Sequence, residues 1–178
     1  TNAAAALSIL GGSVSTGSAP TTTALAAFSK YKRDPEGARR DFYERQDVQK
    51  SIKSFQTSAS EINSVEDFLK DRKTLEFVLT SFGLESELKN PGKLKAIINS
   101  DPDDPNSYSN RLADPRYGEF TKFLNVKNEG FTKLQNADAQ TQVIDDFLTN
   151  AFEVSIGFQN PAAREAVFFL RRINEIDS

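Results

Sequence analysis

Cysteine, histidine, tryptophan and methionine are all absent from this chain of 178 residues. Without Cys there is no disulfide, no thiol nucleophile and no thiolate metal site. Without His the commonest general base and the commonest transition-metal ligand are missing. Ser-His-Asp and Cys-His triads are therefore excluded within the chain. Lys, Tyr, Asp and Glu remain as catalytic groups, so enzymes of a non-histidine type stay open. Residue 1 is Thr and Met is absent, so we expect a fragment or a processed product. A basic balance is lacking too: the net charge is −3 and the pI about 5.1. That argues against a nucleic-acid binder, which shows a concentrated basic face. The most basic stretch, residues 30–53, carries eight Lys or Arg against five Asp or Glu and reads as a solvated helix face. No apolar run approaches the roughly 18 residues of a membrane-spanning helix. No charged n-region precedes an apolar stretch, so no signal peptide is visible.

Fourteen Phe are present, and with no Trp or Met they must supply most of the bulky core volume. Six of the seven prolines follow Asp or Asn: Pro35, Pro91, Pro102, Pro105, Pro115 and Pro161. Asp and Asn are favoured N-caps and Pro is favoured at the first helical position. The pairs thus read as helix starts, with Asp34, Asn90 and Asn160 as plain caps.

Residues 1–29 are an Ala/Ser/Thr/Gly lead-in, flexible or partly helical. Residues 30–178 read as a single helical domain. Asp34-Pro35 opens a helix to about residue 59, with Ala38, Phe42, Val48, Ile52 and Phe55 as its apolar stripe. Ser64 caps the next helix, with Asp67 as an acidic capping-box partner. Its stripe runs from Val65 through Phe68, Leu75 and Val78 to Phe82, and Gly83 supplies a left-handed end. The width of that stripe predicts a central helix. Asn90-Pro91 opens a helix through Leu94 and Ile97. A short helix carrying Tyr108 and Leu112 follows the acidic turn 101–106. Asp114-Pro115 starts another with Tyr117, Phe120, Phe123 and Leu124 inward. Residues 127–130 read as a loop, and Phe131 and Leu134 as a cover over the core. A long helix runs from residue 137 to about Gly157, and Asn160-Pro161 opens the last. No stretch alternates as a strand would. The fold class is all-α: a compact bundle of six to eight helices of unequal length.

Candidate chemistry is sparse. The turn 101–106 resembles a calcium loop but fails the EF-hand template, which needs a ligand where Pro105 sits, Gly where Asn106 sits and Glu where Leu112 sits. Capping explains its acids. Glu66-Asp67 and Asp145-Asp146 are neighbours pointing about 100° apart on a helix, unlike glycosidase carboxylates facing each other across a cleft. No glycine motif cradles a phosphate. No catalytic residue, metal ligand or cofactor is expected. Arg116 breaks a local rule, because a cation in the first turn of a helix opposes the dipole. An ion pair with Asp114, Glu119 or a distant acid would explain it. So would a partner-facing Arg–Tyr hot spot with Tyr117 and Arg111. Arg164, in the first turn of the last helix, poses the same question, with Glu153 as its distant partner.

Three blocks carry a resemblance. They are Val65-Glu66-Asp67-Phe68-Leu69 through Asp71-Arg72 to Phe82-Gly83-Leu84, then Asn110-Arg111-Leu112-Ala113-Asp114-Pro115-Arg116-Tyr117. The third is Phe152-Glu153-Val154 with Gly157, Gln159-Asn160-Pro161, Arg164-Glu165-Ala166 and Arg171. Together, over about residues 38–175, they resemble an alphaproteobacterial family catalogued as a domain of unknown function and often encoded among flagellar genes. The resemblance implies a non-enzymatic structural or interaction protein of the bacterial flagellum, exported with it or held in the cytoplasm. Its partner would be a protein, a flagellar component, with no nucleic acid and no membrane insertion. A cytoplasmic regulatory or chaperone-like adaptor is the alternative. Oligomeric state is left open.

Overall fold

A computed structural model of the chain describes residues 29–156, together with residue 26. The N-terminal lead-in, the helix opened by Asn160-Pro161 and Arg164 lie outside these residues. All regular structure among the described residues is helical.

Helix α1 is Pro35–Tyr43. Asp34 caps it, its Oδ1 accepting from the Gly37 amide at 2.9 Å, and Pro35 takes the first helical position. Gly37 is required by that cap, since a Cβ there would stand 2.0 Å from Asp34 Oδ2. The chain then leaves the helix at Arg45 (φ −58°, ψ 134°) and restarts as α2, Gln46–Ala59. One continuous helix was expected here. The break has a geometric reason. Phe42 and Val48 are both buried but lie six residues apart, which on one straight helix would point them about 120° from each other. The kink turns both to the core. Gln49 Nε2 donates to the Tyr43 carbonyl at 2.6 Å and so closes the end of α1.

The helix expected from Ser64 to Phe82 is likewise two: α3, Val65–Lys70, and α4, Arg72–Ser81. Ser64 caps α3 through the Asp67 amide at 3.0 Å. Asp71 (φ −77°, ψ 78°) ends α3 and caps α4, its Oδ1 accepting from Thr74 N at 3.1 Å and its Oδ2 from Thr74 Oγ1 at 2.8 Å. Gly83 closes α4 at φ +68°. Gly83 N donates to Thr80 O (3.0 Å) and Leu84 N to Leu79 O (2.8 Å), which is the Schellman pattern. Asn150 Nδ2 donates to the carbonyls of Thr80 (3.1 Å) and Ser81 (2.8 Å), leaving the end of α4 well satisfied.

A 3-10 helix, Glu85–Lys89, leads into α5, Pro91–Ile98. Asn90 opens α5 but does not cap it: its Nδ2 donates to Glu87 Oε2 at 3.1 Å instead. Residues 101–115 form turns and bends, not the expected short helix. Asp101 Oδ1 accepts from Asp103 N (3.0 Å) and Asp104 Oδ1 from Asn106 N (2.8 Å). These local bonds compete with helical ones. Tyr108, assigned to that helix, is 39% exposed. Helix α6 is Arg116–Leu124. Two single turns follow, α7 (Val126–Glu129) and α8 (Thr132–Gln135); the first of these takes most of the expected loop. Phe131 and Leu134 are buried as the cover. Helix α9, Ala137–Ser155, is capped by Asn136 through Ala139 N at 3.0 Å.

Helix α4 lies at the centre, packed by α9, α2, α3 and the 3-10 helix. Phe77 is stacked on both faces, against Phe55 (4.4 Å between centroids, 7° between planes) and Phe147 (3.8 Å, 16°). All three are buried. Replacing Phe77 with Ala is expected to cost about 3–5 kcal/mol, read as the loss of stability in chemical denaturation. A cost under about 1 kcal/mol would show that the stack is not central.

Glu76, on the same helix, is half-buried. Burial pushes its carboxyl up to about 7; Arg72 opposes the rise and the Glu85 carboxylate adds to it. The folded state therefore holds a proton that the unfolded state has released between the ordinary Glu range and about pH 7. Stability from this group is present at low pH and declines as pH rises across that window. Glu76→Gln is expected to raise the unfolding free energy at pH 8 by on the order of 1 kcal/mol after solvent screening, and to leave it unchanged at pH 4.5. A variant less stable than the parent at pH 8 would contradict this.

Candidate functional site

Helix α6 begins on the sequence Asp114-Pro115-Arg116-Tyr117, and two linked polar clusters fasten that start to the core. In the first, Asp114 folds back on α6. Its Oδ1 accepts from Arg116 N (3.0 Å) and Nε (3.0 Å), and its Oδ2 accepts from Arg116 NH2 (2.6 Å). Arg116 NH1 then reaches 33 residues back to donate to the Gly83 carbonyl at 2.8 Å. The cation that breaks the dipole rule is thus neutralised beside it, and it also ties α6 to the end of α4. Gly83 is needed twice: for its positive φ, and because a Cβ would come within 3.0 Å of Arg116 NH1.

In the second cluster Glu87, only 6% exposed, receives three donors. Tyr117 Oη donates to Oε1, as does Lys93 Nζ at 2.7 Å. Asn90 Nδ2 takes Oε2. Lys93 Nζ also donates to Tyr117 Oη at 2.7 Å and lies 4.3 Å from the centre of its ring. The 3-10 helix, α5 and α6 meet here. Each carboxylate is paired with a cation, Glu87 with Lys93 and Asp114 with Arg116.

The electrostatics agree. Burial pushes the Asp114 carboxyl up, but the hydrogen bonds and charge of Arg116, with a smaller contribution from Lys93, hold it below its usual range. Burial likewise opposes ionisation of Glu87, and the bonds from Lys93, Tyr117 and Asn90 outweigh it. Burial and the Glu87 bond push the Tyr117 phenol up. Burial lowers Lys93, but Glu87 and Tyr117 more than restore it, so its ammonium stays charged.

Of the residues singled out from sequence, the structure brings Asp114, Arg116 and Tyr117 together. Arg111 is exposed on the turn before α6. Glu153 is buried on α9, at 8% exposure, a different element from the cluster. Glu87 and Lys93 were missed. Lys93 carried the same signal as Arg116, a cation in the first turn of a helix, and the dipole rule applied to it would have found it.

Beside the clusters lies an open groove of about 340 Å³ between residues 101–115 and α6, with Pro102, Leu112, Pro115 and Lys122 among its walls. Asn110 builds one side. Its Nδ2 reaches the carbonyls of Pro102 (3.2 Å) and Asp104 (2.8 Å), with a longer contact to Asp101 (3.5 Å). No group of acids among the described residues is placed to hold a metal ion. No helix among them is long and apolar enough to cross a membrane.

The fold and these clusters define a small all-helical domain whose Asn110–Tyr117 block is fastened to the central helix by ion pairs. The chain belongs to the family described as "Protein of unknown function (DUF1217)", whose profile matches residues 81–178. The match starts at Ser81 and so holds the 110–117 block and the third block, while most of the block at 65–84 precedes it. The fold is shared with the crystal structure of protein AGR_C_984 from Agrobacterium tumefaciens, at 22% identity and a TM-score of 0.67. That similarity covers 90% of this chain and 70% of the other. No curated protein matches the sequence.

Arg116→Ala is expected to lower stability by about 1–3 kcal/mol, since it removes the guanidinium from Asp114 and leaves the Gly83 carbonyl without that donor. Much of that cost should vanish in an Asp114→Asn background, because the two residues act as one pair. The pH dependence has a definite sign. Asp114 and Glu87 are held below their unfolded values, so their stabilisation is present above the ordinary carboxylate range and is lost as pH falls through their folded pKa values. The acid limb of a stability–pH curve should therefore flatten in the Arg116→Ala variant. An unchanged acid limb would contradict the assignment.

Proposed function

We propose that this chain is a non-enzymatic protein-interaction module of the bacterial flagellum, acting in its assembly or export. The observation that carries the reading is how the charged residues of the 110–117 block and its surroundings are used. Asp114, Arg116, Tyr117, Glu87 and Lys93 are bonded to one another. A saturated, charge-balanced cluster holds elements in place; a general acid or base needs a free proton route to substrate. Next to the cluster the fold presents a groove with preformed walls, the kind of surface that receives a partner without reordering. The flagellar association is supported by the resemblance of the three sequence blocks to a family often encoded among flagellar genes.

Deleting the gene tests the reading directly. Swimming should fall and filaments should be short or missing, and both should return when the gene is supplied in trans. Normal motility with normal filaments would remove the proposal. Location separates the two forms of it. Protein found in sheared filaments or culture supernatant marks an exported component, and protein retained in the cytosol marks an adaptor.

A further inference from the structure

Building on the interaction reading above, we propose that the groove between residues 101–115 and α6 docks an extended, basic segment of a partner protein. Three independent features point the same way. The first is shape. Leu112, Ala113 and Pro115 give the groove an apolar wall, and Gly118 keeps it open. A Cβ on Gly118 would stand 2.9 Å from Asn110 Oδ1, so the wall that Asn110 builds and the absence of a side chain on α6 require each other. The bonds from Asn110 to the carbonyls of residues 102 and 104 fix one side. The Asp114–Arg116 pair fixes the other.

The second feature is a buried hydroxyl. Ser109 lines the groove and is 1% exposed. Its backbone N–H is satisfied by Ser100 Oγ at 3.1 Å, yet its own Oγ has no hydrogen-bond partner among the described residues. Buried polar groups are rarely left so. The backbone of an extended segment carries a donor and an acceptor at each residue and can supply the missing bond.

The third feature is charge. Pro102 forms one wall, flanked by Asp101 and Asp103 with Asp104 next along the chain, and Glu119 lines the groove. The three Asp side chains accept from neutral donors: the amides of residues 103 and 106 and the Asn128 side chain. No salt bridge among the described residues engages them. Lys122 and Arg111 are the nearby cations, and the three Asp side chains outnumber them. Complementarity therefore selects a segment with Lys or Arg beside an apolar anchor.

The test uses the full 178-residue chain and two fluorescein-labelled decapeptides in a Gly/Ser background. One carries a leucine flanked by lysines; its twin carries glutamates in their place. Anisotropy should show the basic peptide binding at least about tenfold more tightly than the acidic one, and more weakly as salt rises. Asp103→Lys should weaken it about fivefold and Lys122→Glu should tighten it. Ala113→Trp, which fills the groove from an exposed position, should abolish binding while circular dichroism and melting show the fold intact. Amide shifts on titration should centre on Ser109, Asn110, Leu112 and Gly118. Four outcomes overturn the proposal. They are equal binding of both peptides, basic binding unaffected by Ala113→Trp, no binding of either up to about 1 mM, and groove shifts that depend on protein concentration without peptide. The last would assign the groove to a second copy. If neither peptide binds while gene deletion still abolishes motility, the groove assignment fails and the flagellar reading stands.

Discussion

The packing of Phe77 between Phe55 and Phe147 is the contact on which the other elements depend. It places α4 between α2 and α9 and so commits the centre of the domain to a helix buried on nearly every side. The last turns of such a helix, residues 77–82, are buried and have no water to satisfy their end groups. That end must be closed by protein, and the Schellman turn at Gly83 with Asn150 closes it, while Asp71 caps the more exposed start. Phe is the residue available for such a stack in a chain without Trp or Met. Paired aromatic faces add somewhat to the burial itself, about 0.5–1.5 kcal/mol per pair.

From that centre the domain extends by polar fastening. The 110–117 block has few large apolar side chains, and residues 101–115 have no regular structure of their own. Burial alone would hold such a segment weakly. Arg116 instead reaches the last turn of α4 through the Gly83 carbonyl, and Tyr117 reaches Glu87 and Lys93. Two neutral-sum clusters thus convert an irregular stretch into a fixed wall. This links stability to the functional reading, because a groove with fixed walls binds without the entropy cost of ordering them.

Much of the fold was legible in the sequence, and the lapses have physical causes. Asp34, Ser64 and Gly83 announced their roles through local chemistry that needs no tertiary context. The break at Arg45 did not, because it depends on where Phe42 and Val48 must point once the core exists. The break at Asp71 was readable from Asp71 and Thr74 in capping register but was hidden inside an unbroken apolar stripe. Residues 101–115 misled because Asp-Pro pairs read as helix starts, whereas Asp101 and Asp104 bond amides two residues on and form turns. Arg116 was flagged by the dipole rule and Asp114 was named as a partner. Glu87 and Lys93 lie 30 and 24 residues from Tyr117, and no local pattern reports a pairing at that distance.

With the Arg116 and Tyr117 clusters joining them, α4 and the start of α6 should behave as a single cooperative unit. Native-state hydrogen exchange measures this most directly. Amides of Phe77–Ser81 in α4 and of Phe120, Thr121 and Leu124 in α6 should exchange with the same opening free energy, equal to that of global unfolding. They should fall together as denaturant is added. An α6 that opens on its own, at markedly lower free energy than α4, would show that the clusters do not fasten the block to the core and would contradict the account.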